Sequence, residues 1–238
     1  MVKKRTPKTK KRGLISKILY WAWRIVVVFL IFTNLWVIVY RFINPPITLL
    51  MIQRGLEQKK DGKDWDIRQK WVPYEEISNH FKRAAIASED ATFMTHHGFD
   101  IEAIKEAFEK NKKSNKLRGG STISQQPAKN VFLWPQRSLV RKGFETYFTV
   151  LIEIYWSKKR ILEVYLNVIE TGKGYFGVEA ASQEYFGRSA GKVTQRQAAL
   201  IIATLPNPRR WNAGNPTNYI NGRASSIQRY INHYKIPE

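Results

Sequence analysis

The chain has 238 residues, of which 43% are apolar and 13% aromatic, enough for one domain with a buried core and some appendages. Forty lysines and arginines against nineteen aspartates and glutamates give a formal charge of +21, which predicts a nucleic acid, an anionic membrane surface or a phosphorylated substrate as partner. No cysteine is present, so disulfides, thiolate zinc sites and cysteine nucleophiles are excluded.

The N-terminal part of the chain has the pattern of a membrane anchor. Residues 1–17 carry eight lysines and arginines and no acid. Residues 18–40 are apolar apart from a few polar residues and the single charge of Arg24 near the basic end, and at about 1.5 Å each they are long enough to cross a bilayer. The basic flank predicts a single-pass anchor with a cytoplasmic N-terminus. A cleaved signal peptide is the alternative, but the apolar stretch is long and no small-residue cleavage site follows it.

Residues 41–72 are predicted to be a connector, because Pro45 and Pro46 interrupt the helix and a polar run follows. Asp64 and Asp66 have the Asp-x-Asp spacing of some metal-dependent sugar transferases. Their surroundings are rich in lysine and glycine, which favours a solvated loop.

After the connector the pattern is mostly helical. Asp100, Ser157 and Thr194 each stand before an apolar repeat of helical spacing and are predicted N-caps, Thr194 forming a capping box with Gln197. Another such repeat covers residues 144–155. Because successive strand patterns are missing, the sequence predicts an all-α or α-dominated domain.

Two segments between the helices leave more than one interpretation. Residues 110–120 are strongly basic and suit either a plain surface loop or a flap over an anionic substrate. Residues 171–177, TGKGYFG, match the glycine spacing of dinucleotide sites, but the segment before them is helical and no acid follows at the ribose position. A tight turn between two helices is therefore predicted.

Metal and serine chemistry receive little support. The four histidines lack the H-E-x-x-H spacing, and the adjacent His96 and His97 project in different directions, so one metal ion would hardly bind both. A Ser-His-Asp triad stays possible, although no G-x-S-x-G motif supports it.

Carboxylates and uncharged donors are concentrated in two segments. Residues 87–100, ASEDATFMTHHGFD, contain two adjacent acids. Residues 119–130, GGSTISQQPAKN, are dense in hydroxyls and amides, which bind sugar hydroxyls or phosphate oxygens. A structural loop is the alternative for the second segment.

A third segment is cationic. Arg137, Arg141 and Lys142 precede Glu145, which lies one helical turn from Arg141. This pattern suits either a surface ion pair that contributes little to stability or a cationic surface of a binding site in which the carboxylate of Glu145 orients the basic side chains.

These segments, with RKGFE and KKRILEVYLNVIETGKGYFGVEAASQEYFG, resemble the ordered motifs of family 51 peptidoglycan glycosyltransferases over roughly residues 75–210. The resemblance implies a lysozyme-like domain over residues 73–238 that polymerises lipid II on the outer, periplasmic side of the bacterial cytoplasmic membrane. No penicillin-binding domain follows, as in the monofunctional members. The implied partners are lipid II, the growing glycan, the anionic membrane and other cell-wall synthesis proteins, and no nucleic acid.

The resemblance also implies residue roles. Glu89 corresponds to the general base, supported by its neighbours, and Glu145 to a second catalytic carboxylate on the pyrophosphate side. The residues expected in the substrate site are Asp90, Phe93, His96, Ser121, Thr122, Gln126, Lys129, Asn130, Arg137, Arg141 and Lys142. No resident cofactor is expected, although a divalent cation such as Mg2+ would suit the pyrophosphate. Pro127 departs from the family pattern, in which an aliphatic residue is usual.

The implied reaction breaks a bond to pyrophosphate, a good leaving group that needs cations more than a protonating acid. One base beside many lysines and arginines fits that demand. Two alternatives remain from the sequence: a membrane-tethered hydrolase or lytic transglycosylase that cuts finished glycan, and a basic module that only binds anionic polymer.

Overall fold

A computed structural model describes residues 10–113, 120–136 and 138–238. It is dominated by helices, as predicted, with one small sheet. The helices are α1 (Lys10–Phe42), α2 (Leu49–Lys60), α3 (Asn79–Glu89), α4 (Ile101–Lys113), α5 (Gln125–Phe132), α6 (Leu139–Tyr155), α7 (Lys158–Val168), α8 (Gly177–Phe186), α9 (Gln195–Thr204) and α10 (Asn218–Tyr230). Three short strands are β1 (Arg68–Gln69), β2 (Glu170–Gly172) and β3 (Tyr175–Phe176).

Helix α1 contains the predicted anchor. Its segment Ile15–Phe42 is long and apolar enough to cross a membrane, and it encloses the predicted span of residues 18–40. The last turns of α1 pack on the domain: Val37 is fully buried, its carbonyl oxygen accepts a hydrogen bond of 2.8 Å from Trp156 Nε1, and Thr33 and Tyr147 share one of 2.7 Å. The last turns of the anchor therefore pack against the folded domain.

The connector contains regular structure. After Pro45 and Pro46, Thr48 caps α2 by accepting the N–H of Met51. Asp64 is exposed, and Asp66 is half exposed and pairs with Arg68 at 2.8 Å, which agrees with a solvated loop.

The predicted helix caps are present. Asp100 accepts the N–H of Ala103 at 2.8 Å, and Ser157 accepts that of Arg160 at 3.2 Å. Thr194 caps α9 through the expected capping box. The basic segment 110–120 contributes its first residues to α4, and residues 114–119 lie outside the described part of the chain.

Residues 171–177 form a β-hairpin rather than a plain turn between helices, which corrects the prediction. Strand β2 pairs antiparallel with β3, and β1 pairs parallel with β3 on its other edge. Gly174 and Gly177 have φ values of 82° and 79°, and a Cβ on them would lie 2.4 Å from the Asp66 carbonyl and 2.6 Å from the Asn167 carbonyl. The glycines are therefore required by close backbone contact.

The core lies among α3, α7, α8, α9 and α10. In the central helices α7 and α9 most side chains are buried. Helix α3 packs on α9 and ends at Glu89, so this rigid centre fixes the position of the first candidate catalytic residue.

Candidate active site

A cavity of about 650 Å³ opens between α2, α5, α6 and the start of β2. It brings together seven of the predicted residues: Ser121, Gln126, Lys129, Asn130, Arg141, Lys142 and Glu145. Residues far apart in the sequence thus share one cavity whose wall is rich in cations.

Glu89 borders this cavity through Gln126. Its carboxylate accepts a hydrogen bond of 3.3 Å from Gln126 Nε2 on one oxygen and one of 3.3 Å from Ser88 Oγ on the other. Burial raises the pKa of Glu89 above its ordinary value, while these hydrogen bonds and the charges of Arg223 and Lys129 act in the opposite direction. A carboxylate with a raised pKa is suited to accept a proton near neutral pH.

Asp90 and His96 form a buried pair behind Glu89. His96 Nδ1 accepts the N–H of Gly98 at 3.0 Å, so Nε2 carries the hydrogen that it donates to the Asp90 carboxylate at 2.9 Å. Asp90 also accepts the N–H of Ile123 at 2.8 Å, which ties the end of α3 to the segment before α5.

Four of the residues expected in the substrate site are enclosed by the protein, and their contact with substrate stays a prediction. Asp90 and His96 have nearly buried side chains, and Phe93 is fully enclosed in the core. Thr122 is buried as well, and its hydroxyl donates to the carbonyl oxygen of Gly98 at 2.7 Å. Their enclosure and these hydrogen bonds favour a role in positioning Glu89 and the loop before α5.

On α6, Glu145 organises the cationic wall. Glu145 accepts a hydrogen bond of 2.6 Å from Lys142 Nζ, and its other oxygen lies 3.9 Å from Arg141 Nη1. Glu145 and Arg141 are buried, so this is not the solvent-exposed ion pair of the alternative interpretation. Arg141 Nε is buried without a hydrogen-bond partner among the described residues. Arg137 lies outside those residues.

Three residues of the site region were missed from the sequence. Arg54 comes from the connector helix α2, and its Nε and Nη2 donate to the two carboxylate oxygens of Glu170 at 3.0 Å each, both residues lining the cavity. Arg223 acts on Glu89 from α10. Arg54 and Arg223 lie outside the motifs that carry the resemblance, whereas Glu170 lies inside one of them without having been singled out.

The described residues contain no group of three histidine, aspartate or glutamate side chains placed to hold a metal ion. The cavity carboxylates Glu145 and Glu170 are instead paired with arginine and lysine. The donor set of residues 10–113, 120–136 and 138–238 therefore does not fit a resident metal site.

The fold and site define a class of protein: a membrane-anchored, α-helical enzyme in which one partly buried carboxylate adjoins a cationic cavity. The comparisons identify the family. The transglycosylase family model matches residues 58–232, so the chain belongs to the transglycosylase family, whose domain is lysozyme-like. The sequence resemblance is thereby confirmed.

Curated relatives cover most of the chain. A biosynthetic peptidoglycan transglycosylase of Caulobacter vibrioides is 54% identical over 191 residues, which are 80% of this chain and 81% of the relative. Proteins of the same name from Bacteroides thetaiotaomicron and Bdellovibrio bacteriovorus are 50% and 49% identical, covering 92% and 87% of this chain and 88% and 83% of the relatives. The chain is therefore similar to these enzymes over nearly their whole length.

Proposed function

We propose that this enzyme polymerises lipid II into the β-1,4-linked glycan strands of peptidoglycan, by inverting transfer from a polyprenyl-pyrophosphate-linked donor. The names of the relatives support peptidoglycan as the product. The cationic cavity beside Glu89 supports an anionic leaving group such as pyrophosphate. The observation that carries the proposal is Arg141 Nε, a buried and unpartnered cationic donor in the cavity wall. A buried donor without a partner is costly, and an acceptor such as a phosphate oxygen would satisfy it.

In the proposed step the 4-hydroxyl of the incoming disaccharide attacks C1 of the growing chain. Glu89 accepts the hydroxyl proton as the new C1–O bond forms, and the bond from C1 to the pyrophosphate oxygen breaks with its electron pair leaving on the pyrophosphate. Burial, which raises the pKa of Glu89, makes it a stronger proton acceptor than an exposed carboxylate.

Negative charge that develops on the pyrophosphate is met by cations held in place beforehand. Lys129, Arg141 and Lys142 line the cavity, and Glu145 fixes two of them through its two oxygens. Preorganised groups of this kind each lower a barrier by about 3 kcal/mol. A divalent cation such as Mg2+, if the reaction uses one, would be held by the phosphates of the substrate, since the protein offers no ligand cluster of its own among the described residues.

The proposal includes the orientation of the chain. The basic residues before α1 favour a cytoplasmic N-terminus and an extracytoplasmic catalytic domain. Ile104 and Phe108 on α4, with Leu139 and Val140 on α6, are large apolar side chains that the fold leaves exposed. They suit contact with the membrane surface and with the lipid tail of the substrate. Other cell-wall synthesis proteins remain proposed partners.

Incubation with lipid II tests the proposal. The wild-type enzyme is expected to lengthen lipid II into polymer, with and without a chelator, and to leave purified glycan uncut. Glu89→Gln should abolish polymerisation because the amide accepts no proton, while Glu76→Gln, a change at an exposed carboxylate, serves as the matched control. Polymerisation by Glu89→Gln at the wild-type rate would remove Glu89 from the base role, and cleavage of glycan without polymerisation would favour a hydrolase.

A further inference from the structure

A second cavity, of about 500 Å³, lies between the end of α3 and α10. We call it the α10 groove; its lining includes Ser88, Tyr219, Gly222, Arg223, Ser226 and Tyr230. Ser88 donates to one carboxylate oxygen of Glu89, and Gln126 of the cationic cavity donates to the other. The carboxylate of the base is thus held between one residue from each cavity.

The groove has a regular geometry because its side chains share one face of α10. Tyr219, Gly222, Ser226 and Tyr230 follow each other at intervals of three and four residues, so they form one stripe. At 1.5 Å per residue the two tyrosines lie about 16 Å apart along the helix. A Cβ on Gly222 would meet no atom within 4 Å, so Gly222 leaves the floor between them open.

Both tyrosines present exposed rings, and each ring has one aromatic neighbour. Tyr219 is 58% exposed and Tyr230 is 52% exposed. The ring of Tyr219 packs against Trp211 at 5.4 Å between centroids, and that of Tyr230 lies 6.1 Å from the ring of His233. Rings held by neighbours lose little conformational freedom when a ligand binds, which favours affinity.

The chemistry of the groove differs from that of the cationic cavity. Arg223 is its one cation among the lining residues, whereas the cavity contains Arg54, Lys129, Arg141 and Lys142. Aromatic faces beside hydroxyls suit an uncharged ligand that has apolar ring faces and polar edges. Sugar rings have this character, and pyrophosphate does not.

We propose that the α10 groove binds sugar residues of the growing glycan strand, behind the sugar that reacts at Glu89. This inference rests on the proposed function, because it takes the reacting end of the strand to lie at Glu89. The groove begins at Ser88, which contacts that carboxylate, and it is longer than one disaccharide. A strand that enters it is held by the protein while its pyrophosphate end stays in the cationic cavity.

The test fills the groove without disturbing the fold. Gly222→Leu places a side chain in open space and removes a glycine from a helix, so the variant should be at least as stable as the wild type. A lipid-free tetrasaccharide of β-1,4-linked N-acetylhexosamines is titrated into the full-length protein in detergent micelles. Wild type should bind it, and Gly222→Leu should weaken binding about tenfold or more, with Tyr219→Ala and Tyr230→Ala weakening it in the same direction.

Arg229→Leu introduces the same leucine at an exposed position of α10 outside the groove, in place of an arginine, and should bind like wild type. Gly222→Leu should also shorten the strands made from lipid II. Wild-type tetrasaccharide affinity in Gly222→Leu, or no tetrasaccharide binding by the wild type, overturns the inference.

The two proposals fail separately. Glu89→Gln should lose polymerisation and keep tetrasaccharide binding. A wild-type enzyme that binds the tetrasaccharide in the groove but does not polymerise lipid II would refute the proposed function and leave the groove as a glycan site.

Discussion

Replacing Asp90 by asparagine tests whether the buried pair behind Glu89 holds the site together. The Asp90 carboxylate accepts the Nε2–H of His96 at 2.9 Å and the N–H of Ile123 at 2.8 Å. The asparagine amide has one acceptor oxygen, whereas the carboxylate has two. The NH2 group of the introduced asparagine would therefore face an N–H donor, either that of His96 or that of Ile123. The substitution therefore removes a hydrogen bond to a charged group and creates a buried donor conflict.

The two effects set the magnitude. A hydrogen bond to a charged group is worth about 1.5–3 kcal/mol, and an unsatisfied buried polar group costs about 1–3 kcal/mol. Asp90→Asn should therefore lower the free energy of unfolding by about 3 kcal/mol, which is about 9 °C in melting temperature for a domain of this size. Activity should fall too, because the end of α3 and the segment before α5 lose their link.

Denaturation in urea, followed by tryptophan fluorescence in micelles, measures this loss. Asp64→Asn is the matched control, because Asp64 is exposed and should tolerate the change. His96→Gln should destabilise the same link. Equal unfolding midpoints for Asp90→Asn and Asp64→Asn would show that the pair is not structural.

Three further predictions concern Glu89, Tyr165 and Arg141. Burial raises the pKa of Glu89 in the folded state, so the protonated Glu89 side chain favours folding below the unfolded-state pKa, and this contribution is lost as pH rises through the folded-state pKa. Glu89→Gln should therefore be more stable than wild type at pH 7 and equal to it at about pH 4. Melting temperatures of the two proteins that differ by the same amount at every pH would contradict this. The hydroxyl of Tyr165 is buried without a partner among the described residues, so Tyr165→Phe should be unchanged or more stable by about 1 kcal/mol in urea unfolding, and a clear loss would indicate a hidden partner. Arg141→Gln should lower the rate of polymerisation about 100-fold or more with little change in melting temperature, whereas a change in melting temperature alone would assign Arg141 to the fold.

The parts of the fold that could be predicted depend on residues close together in the sequence. The caps at Asp100, Ser157 and Thr194 depend on residues within one helical turn, and the structure has all three. The hairpin at residues 171–177 was not predicted. Its glycines are required by contacts with the backbone of Asp66 and of Asn167, and the local sequence does not show that these residues come close. Strand pairing of two or three residues leaves no periodic pattern to read.

The candidate site also has features that the sequence predicted and features that it did not. The motif resemblance marked Glu89 and Glu145, but it did not show that Asp90 and Thr122 would be enclosed, since the same polar residue types either bind a substrate or hold a loop. Arg54 entered the cavity from a helix that sequence analysis treated as a connector. Its contribution depends on tertiary packing alone.

The packing of α1 on the domain limits what the enzyme can reach. Because Val37 and Thr33 are bonded to side chains of α6 and of the residue that follows it, the catalytic domain has no free linker on which to swing. In the proposed reaction the helix sets the height of the domain above the bilayer, so the search for lipid-linked molecules takes place in two dimensions and at one fixed distance from the surface. In that proposed reaction the growing end stays at the depth where the next precursor arrives.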